Sequence, residues 1–168
     1  MFYEDTVIET EVYLEPSRIN GRYKAYLLDK IRQQYENTAN EKFGIIQKVN
    51  SIKDLEQQCI LDNSTFVTFL VKCAVLCYMP KKGDVLNIPV TKMTPYGIFI
   101  SEHQIRILIP QAYLPEYYSI QREGTTFQLH NQRNDTSLCE GDQICVLIEQ
   151  VKYEKNGFSC LALINENI

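Results

Sequence analysis

Around the turn Thr94-Pro95-Tyr96-Gly97 the chain interleaves two aromatic rings, Tyr96 and Phe99, with the basic side chains of Lys92, His103 and Arg106. An exposed ring stacks on a nucleobase for about 1–3 kcal/mol without reading its identity, and cations beside it contact phosphates. Tyr96, next to a glycine in a turn, is expected at the surface. Phe99 has a second reading as a core residue, and the three basic residues have one as ordinary solvated surface.

Other site chemistries are poorly supplied. The carboxylates are dispersed over loops and strand ends, and neither His103 nor His130 stands in a serine or cysteine motif. GxxxxGK and HExxH are missing from the sequence, so the expectation is a noncatalytic protein without cofactor or metal. Cys73 and Cys77 fall on one side of a strand. They are half a metal site at most, and small core hydrophobes otherwise, because no CxxC or paired histidine completes a four-ligand set. The balance of 17 Lys and Arg against 21 Asp and Glu gives a formal charge of -4. A general polycation that coats nucleic acid is thereby excluded, and any such binding is expected to be local and weak.

The elements that must position these residues change character at Pro80. Before it, Thr6 to Leu14 alternates as a strand, with Ile8, Val12 and Leu14 on one face and Thr10 interrupting it. The stretch 22–37 puts Leu27, Leu28, Ile31 and Tyr35 on one side of a helix of about four turns. "KFGIIQKVNSI" and "QCILD" are strand candidates, and residues 66–79, apolar on both faces, form the longest one and suit the centre of a sheet. Residues 1–79 thus read as a small α/β domain. After Pro80, "GDVLNIPVTKM", "YGIFIS", "QIRILI", "DQICVLIEQVKY" and "GFSCLALI" are five strand-like pieces without a comparable helix, which points to a small barrel of the oligonucleotide-binding kind over residues 80–168. The polar run Gln128 to Glu140 is expected as a loop, and Gly157 as the residue with positive backbone torsion in the last hairpin.

At 168 residues the chain suffices for one domain or two small ones. The tract "FVTFLVKCAVLCYM" falls short of the roughly 20 residues that cross a bilayer and contains Lys72, so no transmembrane helix is expected. The acidic start "MFYEDTVIETEVYLEP" does not look like a signal peptide, and the cysteines are accordingly expected as free thiols.

The order of "MFY", "KFGIIQKVNSI", "VKCAVLCYMPKKGDVLNIPVTKMTPYGIFISE" and "EGDQICVLIEQVKYEKNGFSCLALI" resembles the larger stalk subunit of cellular DNA-dependent RNA polymerases, most closely the seventh subunit of RNA polymerase II, and the resemblance runs the length of the chain. It implies an α+β architecture: an N-terminal truncated ribonucleoprotein-like domain followed by an S1-type OB barrel. It further implies docking of the first domain on the polymerase core subunits and a smaller stalk subunit, nascent single-stranded RNA near the second, no membrane, and a nuclear location. By the same resemblance Tyr96 and Phe99 fall where S1 modules carry stacking aromatics, and Phe43 and Gly44, with Met1 and Phe2, are docking residues.

The chain departs from the family pattern in three places. "LDNSTFVT" stands where a glycine-rich turn is expected, Pro110 where S1 modules carry a histidine, and Lys152 where they tend to carry an aspartate. Such divergence fits a polymerase encoded by a large DNA virus, for which the host cytoplasm or the virion replaces the nucleus. The alternative is a free-standing RNA-binding or translation-factor-like OB protein.

Overall fold

The structure is a computed structural model that describes residues 3–57 and 67–166. The chain divides between Met79 and Pro80 into two compact units. The "QCILD" candidate, Phe66 and most of "LDNSTFVT" lie outside the described residues.

The first unit is built from β1 (Glu4–Leu14), a 3-10 turn (Pro16–Arg18), α1 (Tyr23–Tyr35), β2 (Thr38–Asn40), β3 (Gly44–Gln57) and β4 (Val67–Tyr78). The strands form one antiparallel sheet in the order β1-β4-β3-β2. In β1 the period of two holds without a break, so Ile8, Val12 and Leu14 are buried while Val7, Glu9, Glu11 and Tyr13 are exposed. Thr10 is buried on the apolar face because its hydroxyl lies 2.7 Å from that of Tyr35 on the helix, which satisfies both polar groups.

Helix α1 lays Leu27 and Ile31 onto the sheet with no exposed surface, each worth about 1.5–3 kcal/mol of apolar burial. Its start is turned by Asn20, whose Oδ1 accepts from the Arg22 amide at 2.8 Å. It stops where Glu36 becomes extended and Asn37 takes a positive φ of 60°. Glu36 Oε1 then accepts the Val49 amide at 3.0 Å and ties the helix end to the sheet. The face of β4 against the helix carries Val67, Phe69, Val71, Cys73, Val75 and Cys77, all buried, and the opposite face is only half-buried at Leu70, Ala74 and Leu76.

One expectation needs correction here. Among the described residues the longest strand is β3, with 14 residues against 12 in β4. Its pairing with β4 slips between Ile46/Lys48, Val49/Ser51 and Ile52/Asp54. Each bulge inserts a residue, so Ile46, Val49, Ile52 and Leu55, spaced by three, all reach the same core.

The second unit contains β5 (Val85–Pro89), β6 (Lys92–Thr94), β7 (Gly97–Glu102), β8 (Ile105–Pro110), β9 (Tyr118–Glu123), β10 (Thr126–Asn131), β11 (Thr136–Leu138), β12 (Gln143–Glu154) and β13 (Gly157–Ile164). Its main sheet runs β5-β12-β13-β8-β7-β6, with β13 and β8 parallel. The end strands β5 and β6 are consecutive halves of one extended segment. The Val90 amide still donates to Asp142 O, at 3.0 Å, whereas the next amide, of Thr91, donates to Phe99 O at 3.1 Å. The chain therefore leaves one edge of the sheet and joins the other within one residue, and the sheet closes into a barrel of OB type. Ile88, Ile98, Ile100, Ile107, Ile109 and Val146 fill the interior.

The run expected as a loop from Gln128 to Glu140 instead supplies β10 and β11, which with β9 make a separate three-stranded sheet. Its strands escape the alternation rule because Leu129 and Asn131 are its only fully buried described positions. The Tyr117 and Tyr118 hydroxyls bind the Glu166 carboxylate near the chain end, and the Arg133 guanidinium covers the Tyr117 ring at 3.8 Å. In the last hairpin, Lys155 and Asn156 carry the positive φ values, 51° and 57°, and Gly157 does not. Both loop residues being left-handed marks a type I′ turn. Glycine is needed at 157 for space, because a Cβ there lies 2.9 Å from Gln104 O. No helix among the described residues is long and apolar enough to cross a membrane.

Candidate nucleic-acid interface on the barrel

The outward residues of the barrel line up across its strands. Register pairs Lys92 with Phe99, Phe99 with Leu108, Leu108 with Leu161 and Leu161 with Gln150, so these side chains form one transverse row over five strands. The neighbouring row is Ser101, Arg106, Ser159 and Lys152. Both rows line a shallow groove of about 550 Å³, apart from Lys92 at its margin. The floor is apolar and the cations stand along its sides, an arrangement that takes flat rings in the middle and phosphates at the rim.

Phe99 is 39 % exposed and lies between Ile98 and Ile100, which are buried. The barrel interior takes the even residues of β7, which decides the open question in favour of an outward ring. Tyr96 is 81 % exposed at the β6–β7 turn. The turn is fixed from both sides: the Tyr96 amide donates to Thr94 Oγ1 at 3.2 Å, and Tyr96 O accepts from the Gln111 amide at 3.0 Å. Gly97 is required there because a Cβ would run into Ile109 O.

Arg106 is held in place by an Nη2 donation to Glu154 O at 3.0 Å. Lys152 is 76 % exposed and 3.3 Å from Glu154 Oε2. Hydrogen bonds from Ser159 and Lys152 depress the Glu154 carboxyl below its ordinary pKa. His103 sits apart. It occupies the β7–β8 turn at a φ of 51°, 4.0 Å from Glu102 Oε1, whereas Tyr96 precedes the other end of β7. A strand of this length spans about 20 Å, so one short ligand does not touch both.

The structure thus brings Lys92, Phe99 and Arg106 together, with Tyr96 at one end and His103 at the other. Leu108, Leu161 and Gln150 were missed in the sequence, although the outward alternation of "QIRILI" exposes Leu108 once Arg106 is placed outside.

Of the docking candidates, Met1 and Phe2 lie outside the described residues. Phe43 packs half-buried against the core of the first unit, with Lys42 Nζ 5.3 Å from its ring centre. Gly44 is buried at a φ of 85°, and a Cβ there would strike Tyr78 O. Cys73 and Cys77 line the helix-covered face of β4, where burial pushes the Cys73 thiol up to about 11. His130 does meet a serine and an aspartate across the β10–β11 hairpin, Ser137 Oγ at 3.3 Å and Asp135 Oδ1 at 3.5 Å. Asp135 is 94 % exposed, so this is a solvent-screened contact.

No protein-family model matches the chain. Among curated proteins, it is 20 % identical over 167 residues to DNA-directed RNA polymerase II subunit rpb7 of Dictyostelium discoideum, covering 99 % of this chain and 96 % of that one. It is 27 % identical over 116 residues to subunit RPB7 of Glycine max and to subunit 7 of Arabidopsis thaliana, in each case covering 69 % of this chain and 65 % of the relative. These relatives share one subunit name across distant organisms, and the barrel and helix-backed sheet have the architecture that the resemblance implies. The chain is thus RPB7-like, similar over almost its whole length to subunit 7 of RNA polymerase II.

Proposed function

We propose that this chain is a noncatalytic stalk subunit of a DNA-directed RNA polymerase, in which residues 1–79 dock on the core and the barrel of residues 80–168 offers nascent single-stranded RNA a weak, base-indifferent surface. The observation that carries the second part is the row Phe99, Leu108 and Leu161, flanked by Lys92, Arg106 and Lys152. Every base has a face to stack on such an apolar floor, whatever its identity. Lys152, where the family pattern expects an aspartate, adds a phosphate contact to that surface. The docking part rests on the family's arrangement, with Met1, Phe2, Phe43 and Gly44 as contacts and a smaller stalk subunit as a second partner. The nucleus is the place of work, or the host cytoplasm or virion for a virus-encoded enzyme.

The test is RNA crosslinking at low salt in the assembled polymerase, where phosphate contacts are least screened. Tyr96→Ala and Phe99→Ala should each reduce crosslinking several-fold, with similar losses on all four homopolymers. Equal crosslinking by both folded variants removes RNA from this face. Affinity capture of the tagged full chain tests membership itself: recovery of RNA without polymerase subunits points to a free-standing OB protein.

A further inference from the structure

The first unit ends its sheet on a long strand whose guard is acidic charge alone. Edge strands expose unpaired amides and carbonyls, and proteins blunt them by shortness, charged side chains, proline or bulges. The far edge, β2, is three residues long. The near edge, β1, is 11 residues long, contains no proline, and pairs with β4 without a slip from Glu4↔Cys77 to Leu14↔Val67. Among the described residues, β1 makes no backbone hydrogen bond except to β4.

The direction of the free groups can be read from one contact. Lys30 of the helix donates to the Tyr13 carbonyl, so that carbonyl faces away from β4 and is capped. Strand alternation then aims the backbone groups of Asp5, Val7, Glu9 and Glu11 the same way, with no such cap. The side chains of these four residues are exposed, Val7 by 54 %. Residues 1–17 hold five acidic side chains and no basic one. Lys72 of β4 lies between Glu9 and Asp54, but Glu11 faces Leu70, and Leu70 faces Glu56.

We propose that the β1 edge from Asp5 to Glu11 is a docking site for an extended, basic segment of a partner protein, which adds to the sheet as a fifth strand. Its main chain pairs with the outward amides and carbonyls, and its lysines or arginines stand opposite Glu9 and Glu11. The charges also argue against the other occupants. Two copies of β1 pairing about Glu9 set that carboxylate against itself, and a nucleic acid meets an acidic face. The inference is independent of the barrel's role.

The probe is a labelled nine-residue peptide with lysine at alternate positions and valine or threonine between, titrated into the full chain at low salt. It should bind saturably. Backbone N-methylation of its pairing face should weaken binding at least tenfold while leaving its charge unchanged, and so should Val7→Pro, which removes an outward amide, spares the β4 ladder and leaves the acidic side chains in place. Glu9→Lys with Glu11→Lys should abolish it. A parent peptide that does not bind, or equal binding of the N-methylated peptide, overturns the proposal. The N-methylated arm needs no change to the protein, so its result is independent of how the proline variant folds.

Discussion

The first unit keeps an open sheet with two edges and covers one face with a helix, whereas the second joins the two ends of its main sheet, which therefore has no such edge to offer. The difference lies in a few residues. In the barrel, Pro89 ends β5 and the chain changes partner strand between Val90 and Thr91. In the first unit β1 and β2 stay at opposite ends, separated by β4 and β3. An open sheet can be extended by main-chain pairing, while a closed one can present only side chains. The surfaces follow this division: the barrel's groove is defined by Phe99, Leu108, Arg106 and Lys152, and the β1 edge by backbone groups under an acidic fringe.

The largest effect that sharpens this contrast is a core truncation. Ile31→Ala empties a fully buried position between helix and sheet and should cost about 2–5 kcal/mol, measured by urea denaturation of the full chain. Leu108→Ala, on the half-buried groove floor, should cost well under half of that and instead reduce RNA crosslinking. Equal destabilisation by the two would mean that the outer face of the barrel is part of a core.

Gly44→Ala comes next. At a φ of 85° and with Tyr78 O in the way of a Cβ, alanine incurs the left-handed penalty of about 1–2 kcal/mol and a displacement of β4 besides. Gly124→Ala, at a φ of 64° in the β9–β10 turn with nothing within 4 Å, should show the torsional part alone. The thermal midpoints of the two variants separate the terms. It follows that Gly44→Ala is a poor probe of docking, and Phe43→Ala is the better one.

A smaller effect appears in alkali. Burial, and then the hydrogen bond to Glu166, raise the Tyr118 phenol from its ordinary value of 10 to about 12. A raised folded-state pKa means that the neutral phenol contributes stability that is fully present below about pH 10 and is lost as the pH climbs through about 12. Stability should therefore fall over that interval, and Tyr118→Phe should flatten the fall. A variant with the same alkaline profile as the parent would detach this group from the accessory sheet's stability.

Legibility followed regularity. The inward set of β1 and the helix stripe Leu27, Leu28, Ile31 and Tyr35 were visible because the periods of two and 3.6 hold there, with Thr10 the one polar residue on the inward face of β1. The core set of β3 was not, since three bulges convert its spacing from two to three, and no local signal marks a bulge. The accessory sheet was hidden for another reason. Its strands bury few side chains, and "QLHNQRNDTSLCE" has the composition of a loop because pairing there rests on main-chain bonds and turn residues such as Asn134 and Asp135. At the candidate interface, the aromatic and basic residues were visible as types. Their grouping was not, because Leu161 and Lys152 reach Phe99 only through the parallel pairing of β13 with β8.

The smallest effect concerns the one polar residue inside the β1 stripe. Thr10→Val keeps the shape and removes the hydroxyl that meets Tyr35 at 2.7 Å. A net hydrogen bond is worth about 0.5–1.5 kcal/mol, and the loss should lie in that range because the Tyr35 hydroxyl is left half-buried without its partner. Tyr35→Phe alone should cost no more than that, for the Thr10 hydroxyl, which is more deeply buried, keeps only its long donation to Glu11 O at 3.5 Å. The two changes together should cost less than their sum, since the pair is then apolar on both sides and nothing remains unsatisfied. A double variant whose cost equals the sum would show that the hydroxyls do not depend on each other, and that Thr10 is held in the stripe by the strand alone.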